Sequence, residues 1–111
     1  MPESVQTIVT LFTEEVKKVL GKDMARDIVY GSYARGDFNE NSDIDIMVLT
    51  SRSEEEIKLV EYELYDVAFN FLMKYGIDIS VIVKNKDHFN YWLGALPFYD
   101  YVEREGMVIH G

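Results

Sequence analysis

Cysteine is absent from all 111 residues. That excludes a disulfide framework and a thiolate metal site. Long apolar runs are missing too, and nothing approaches the roughly 18–20 residues that cross a bilayer. The opening Met1-Pro2-Glu3-Ser4 has neither the basic start nor the apolar stretch of a secretory signal. A soluble cytoplasmic protein without membrane contact is the expectation. Basic residues are scarce, 11 against 20 acidic ones, for a net charge of −9. No cluster of Lys and Arg stands out, so a grip on long nucleic acid is disfavoured. An acidic chain still binds a nucleoside triphosphate when a divalent metal supplies the positive charge. Repeats, linkers and low-complexity segments are lacking as well. What is present is a 48% hydrophobic chain of a length that suits one compact domain over 1–111.

Apolar periodicity predicts a helix over residues 4–20, with Ser4 as its cap and Gly21 as its end. Residues 27–30 read as a short strand interrupted by Gly31. Residues 32–35 are expected to make a turn or two of helix, and 36–42 a polar turn. Residues 43–49 read as a second strand. Ser53 and Glu56 stand at capping-box spacing, and Glu54 to Glu56 suit a helix start, so a long helix is predicted to Tyr75, stopped by Gly76. Residues 77–83 form the clearest strand. Two shorter helices are expected from Asp87 to Leu93 and from Pro97, the latter ended by Gly106. A last short strand spans Met107 to Ile109. This order predicts an α/β (α+β) domain with a small mixed sheet and helices packed mainly on one face.

The stretch GSYARGDFNENSDIDIMVL, from Gly31 to Leu49, puts two carboxylates at the head of an apolar strand. Residues two apart in a strand share a side. Ile44, Ile46 and Val48 then face the core, while Asp43 and Asp45 face the open side of the sheet. Asp78 heads the next clear strand, where Ile77, Ile79, Val81 and Val83 alternate onto the core side. If the two strands are neighbours, Asp78 joins Asp43 and Asp45. Three acids on one face make a negative cup suited to Mg²⁺, a hard cation that prefers oxygen ligands. Two such ions about 3.5–4 Å apart stabilise the attacking and leaving oxygens of an in-line phosphoryl displacement. Asp43 and Asp45 could bridge them, and Asp78 could ligate one and help take a proton. Gly31 lets the backbone turn sharply. Ser32 opens a short helix whose free N–H groups attract phosphate oxygens. This division places the β- and γ-phosphates on Gly31 and Ser32.

Gly31-Ser32, ten intervening residues, then Asp43-Ile44-Asp45 resembles the signature of the DNA polymerase β-type nucleotidyltransferase superfamily. With IDISVIV and PFYDYVEREGMVIHG, the chain looks most like its minimal nucleotidyltransferase (MNT) members, nearly end to end. These are commonly encoded beside a HEPN-domain protein as the antitoxin of a toxin–antitoxin pair. The resemblance implies the nucleotidyltransferase fold and transfer of AMP from ATP to a hydroxyl, with pyrophosphate released. In the antitoxin group the expected acceptor is a tyrosine of the HEPN partner. Carried over, the catalytic and metal-binding acids are Asp43, Asp45 and Asp78, and the nucleotide-binding residues are Gly31, Ser32 and, as a weaker phosphate or acceptor contact, Arg35. Tyr33 departs from relatives that carry Arg or another polar residue there, which leaves less positive charge at the pocket. Larger relatives carry an added acceptor-binding domain; within 111 residues a separate acceptor chain is the economical expectation.

Other readings stand beside this one. A lone D-x-D usually marks a solvated strand end. The alternation Asp37, Asn39, Asn41, Asp43, Asp45 resembles a calcium loop, but Ser42 replaces the glycine at its sixth position and Val48 the glutamate at its twelfth. His88 and His110 have no partner ligands at metal spacing. The cluster Phe89, Tyr91, Trp92, Leu93, Phe98, Tyr99 and Tyr101 is expected to be mostly core, with a contact surface as the alternative for some of it. A second stripe on the long helix, Leu59, Tyr62, Phe69 and Met73, points away from the first and awaits a partner or a second copy. Two functional alternatives remain: a non-catalytic antitoxin that neutralises its partner by association, and a nucleotidyltransferase acting on a small alcohol such as an aminoglycoside.

Overall fold

The computed structural model describes residues 1–110. Helix α1 (Glu3–Leu20) leads through one turn of 3₁₀ helix into strand β1 (Met24–Tyr30), the short helix α2 (Ser32–Arg35) and strand β2 (Ile44–Thr50). Helix α3 (Glu54–Tyr75), strand β3 (Ile79–Asn85), helices α4 (Lys86–Trp92) and α5 (Pro97–Glu105) and strand β4 (Met107–His110) complete the chain. Every expected element is present. Helix α1 begins at Glu3 with no side-chain cap, so Ser4 lies inside it; the N–H groups of Val5 and Gln6 donate instead to the Pro2 carbonyl. The capping box of α3 forms as read. Glu56 N–H donates to Ser53 Oγ at 3.2 Å, and Ser53 N–H donates to Glu56 Oε1 at 3.1 Å. Gly76, at φ 69°, ends that helix in the left-handed conformation that costs glycine least.

The sheet is mixed, in the order β3-β2-β1-β4. β1 pairs antiparallel with both β2 and β4, and β2 pairs parallel with β3, so α3 is the crossover between them. The two long helices, α1 and α3, lie on one face. Phe12, Val16, Leu64 and Phe71 there meet Val29, Ile44, Ile46, Val48, Val81 and Val83. Each fully buried aliphatic or aromatic side chain of this layer contributes about 1.5–3 kcal/mol.

The opposite face is not bare, as the alternation of β2 suggested. Its middle is covered by α4 and α5, whose Phe89, Tyr99 and Val102 pack on Ile28, Tyr30, Met47 and Leu49. The cause is visible in β2 itself: Ile46-Met47-Val48-Leu49 is apolar without a break, as strands buried on both faces are. The first residues of β2 and β3 escape this cover, and so does Val108 of β4. Of the aromatics assigned to the core, Phe89 and Tyr99 are buried and Tyr101 is partly so, while Tyr91, Trp92 and Phe98 are exposed.

Candidate active site

The polarity of the strands brings three chain segments to one edge of the sheet. β1 ends there at Tyr30, β2 begins there, and β3, parallel to β2, begins there too. Asp43 lies one residue ahead of β2 and Asp78 one residue ahead of β3. Ile44 N–H donates to the Asp78 carbonyl at 2.9 Å, which ties the two strand entries together. Asp45 is paired across to Tyr30 on one side and to Ser80 on the other. Ile44 and Ile79 face the α1–α3 layer. Strand alternation therefore turns Asp45 and Ser80 to the other face, with Asp43 and Asp78 one residue outside their strands. Asp43 and Asp78 are exposed and Asp45 is half-buried.

Gly31 closes this edge. Its backbone sits at φ 78° and ψ −152°, a conformation that side chains rarely adopt. The Asp45 carboxylate occupies the space that a Cβ on Gly31 would need. The turn is thus pressed onto the carboxylate, and α2 starts directly from it. Arg35 N–H donates to the Gly31 carbonyl at 3.0 Å and Gly36 N–H to that of Ser32 at 2.9 Å. The first N–H groups of such a turn have no acceptor within the helix. The polar turn that follows is held by its own bonds: Asn39 N–H donates to Ser42 Oγ at 2.9 Å and Asn41 N–H to Asn39 Oδ1 at 2.8 Å. It delivers Asp43 to the same edge.

The electrostatics follow from this crowding. Burial pushes the Asp45 carboxyl above its ordinary range, the nearby Asp43 charge pushes it further, and the Arg35 guanidinium pulls it back. Arg35 itself is exposed. Its Nε donates to Asp37 Oδ2 at 3.1 Å and its Nη1 to the Tyr101 hydroxyl. Tyr30, whose ring packs edge-on to Tyr101 and Phe98, is pushed up to about 12 by burial, then by Asp45 and Tyr101.

The structure therefore brings Gly31, Ser32, Asp43 and Asp45 to one strand edge, with Arg35 at its rim. Asp78 reaches the same end of the sheet through its backbone, but its carboxylate does not close with those of Asp43 and Asp45 into one cluster. Among the described residues no three acidic or histidine side chains close into a ready metal-binding group. The donors offered by Asp43 and Asp45 are all oxygens, and their mutual repulsion is relieved only in part by Arg35. That set suits Mg²⁺, which is commonly held by one or two carboxylates and completed by phosphate and water oxygens.

Three residues of this neighbourhood escaped the sequence reading. Tyr30 adjoins Gly31, a signal that was available. Tyr101 and Phe98 come from α5, and nothing local ties them to this edge. Tyr33, expected as a gap in the pocket's charge, is not in the pocket. It is buried and stacks on Phe38 at 4.5 Å between centroids and 8° between planes. Its work is to hold the polar turn against the core.

A glycine-serine turn seated on a D-x-D pair at the mouth of a small mixed sheet is the arrangement expected of the nucleotidyltransferase class. The chain belongs to the family described as "Nucleotidyltransferase domain", whose model matches residues 11–106, and it is a nucleotidyltransferase. Among its relatives is a Methanocaldococcus jannaschii protein provisionally named a protein adenylyltransferase, 31% identical over 109 residues, which are 97% of this chain and 92% of that protein. Another from the same organism, provisionally named in the same way, is 33% identical over 82 residues, 71% of this chain and 78% of that protein. The protein adenylyltransferase MntA of Thermococcus cleftensis is 31% identical over 84 residues, 75% of this chain and 77% of that protein.

Proposed function

We propose that this nucleotidyltransferase moves AMP from ATP to a hydroxyl of a partner protein, and that it does so as the antitoxin of a cytoplasmic toxin–antitoxin pair whose toxin is a HEPN-domain protein. The observation that carries the transfer reading is the seating of the Gly31 turn on the Asp45 carboxylate, with Asp43 two residues before it. A phosphate seat and a pair of acids at contact distance are what an ATP-dependent transfer needs. The names of the relatives support protein as the acceptor.

Asp43 and Asp45 would hold Mg²⁺, with Asp78 as a third ligand once nucleotide completes the site. When bound, the metal supplies positive charge against the carboxylates and the triphosphate. Gly31 and Ser32 hold oxygens of the β- and γ-phosphates through backbone N–H groups and the Ser32 hydroxyl. Arg35, at the rim, meets the phosphate tail or the acceptor. The acceptor oxygen forms a bond to the α-phosphorus while the bond from that phosphorus to the bridging oxygen breaks. Pyrophosphate leaves, and the hydroxyl proton passes to a carboxylate, a role we give to Asp78.

The test is to incubate the protein with ATP, Mg²⁺ and the product of the adjacent gene, then weigh that product. An added AMP mass is expected, and its absence with a well-folded partner counts against transfer. Asp43→Asn combined with Asp45→Asn is expected to abolish transfer and leave the fold intact. Undiminished protection against the toxin by that double variant would favour neutralisation by association alone.

A further inference from the structure

Helix α3 buries one stripe and leaves another in solvent. Ile57, Val60, Leu64, Ala68 and Phe71 face the core. On the far side Leu59 is 81% exposed, Tyr62 77%, Phe69 57% and Met73 64%. Apolar side chains of that size, aligned over four turns, are more than the scattered exposure of an ordinary surface. The stripe runs on into a groove. Phe69 and Leu72 of α3, Ile79, Ser80 and Val81 of β3, and Asp78 just ahead of that strand are among the residues that line a shallow hollow of about 300 Å³. The Asp78 carbonyl is tied to Ile44 beside Asp43 and Asp45, so the groove leads from the stripe toward the candidate active site.

The charges around the stripe choose its occupant. Glu55, Glu63 and Asp66 are exposed beside it, Glu61 accepts from the Tyr65 hydroxyl at 3.4 Å, and Lys58 and Lys74 are the two lysines against these four acids. A second copy of the chain laid on this face would oppose acid to acid, on top of a net charge of −9 per chain. A partner with Lys and Arg flanking its own apolar stripe would be matched on both counts.

We propose that the outer face of α3, with the α3–β3 groove, docks the protein acceptor through an apolar helix flanked by basic residues, laid as one helix upon another. Bound there, the partner extends toward Asp78, so one contact surface both captures the acceptor and aims its hydroxyl. The inference rests on the reading of a protein acceptor, and it adds the surface and the chemistry that recognise it.

The probe is a synthetic amphipathic helical peptide with a leucine stripe flanked by lysines, set against the same peptide with every lysine replaced by glutamate. Nuclear magnetic resonance of the labelled protein is expected to show the lysine peptide perturbing amides of α3 from Leu59 to Met73 and of β3 near Ser80. Binding is expected to weaken as salt rises. The double variant Leu59→Ser/Phe69→Ser is expected to lower the affinity at least about tenfold, with binding of a non-hydrolysable ATP analogue unchanged. The proposal is overturned by equal binding of the glutamate peptide, by perturbations centred on Tyr91 and Phe98 instead, by no binding at all, or by sedimentation showing that the α3 face pairs two copies. Should the ATP analogue fail to bind while the peptide still docks on α3, the transfer reading fails and the docking surface stands.

Discussion

The carboxylate of Asp45 lies against the Cα of Gly31, in the space that a methyl group would fill. No L-residue at position 31 can keep both the positive φ and this contact. Gly31→Ala is expected to cost about 1–3 kcal/mol of stability from backbone strain and displacement. It is also expected to weaken binding of a non-hydrolysable ATP analogue in Mg²⁺ by at least about tenfold. Calorimetric titration reads the second effect and urea denaturation the first. Unchanged nucleotide affinity in a folded variant would separate the turn from the phosphate seat.

The Asp45 carboxyl is held above its ordinary range by burial first and by Asp43 second, against the pull of Arg35. Carbon-detected titration of the Asp45 side chain is therefore expected to move toward lower pH in Asp43→Asn. In Arg35→Gln it is expected to move toward higher pH. The same direction for both variants would contradict the arrangement of these charges.

Tyr101 accepts a hydrogen bond from Arg35 and packs edge-on against Tyr30. Tyr101→Phe keeps the packing and removes the acceptor. Nucleotide affinity is expected to fall roughly three- to tenfold, with the thermal midpoint nearly unchanged. A large loss of stability would make the hydroxyl a structural group instead of one that positions Arg35.

Asp27 is fully buried in β1 beneath α1, where the Thr13 hydroxyl donates to its Oδ2 and its Oδ1 has no partner. Burial raises its carboxyl to about 6, with Thr13 and Lys17 opposing. The folded state thus prefers the protonated acid. The stability this contributes is complete below the unfolded value near 3.8 and is lost as pH rises through about 6. Asp27→Asn is expected to remove that slope, and to gain on the parent protein by about 2–3 kcal/mol between pH 4 and pH 8. Denaturation midpoints at the two pH values check it; parallel behaviour of both proteins would refute the assignment.

Tyr33 stacks on Phe38 and closes the polar turn onto the core. Tyr33→Ala is expected to cost about 3 kcal/mol. Faster amide exchange across residues 36–43 is the accompanying sign that the turn delivering Asp43 has loosened.

What was legible in the sequence was local. Capping residues, glycine stops and apolar periods depend on neighbours along the chain, and the main helices and strands among the described residues follow from them. So does the pairing of Gly31-Ser32 with Asp43-Ile44-Asp45, because a strand, a turn and the next strand are joined by a short stretch of chain. Strand ends were less legible: Asp43 and Asp78 fall just outside β2 and β3, since the inter-strand hydrogen bonds that decide the ends are not local.

The sequence by itself determined which donor groups the candidate site offers, since acids at two-residue spacing and a glycine-serine turn are readable without coordinates. Only the tertiary structure decided what surrounds them. Side-chain alternation says that Met47 and Leu49 share the face of Asp45, but not that α4 and α5 return to cover that face and leave its edge open. Nor does any local pattern link Arg35 to Tyr101, 66 residues further on. Such contacts depend on how the helices close over the sheet, a balance of buried area and loop closure over the whole chain.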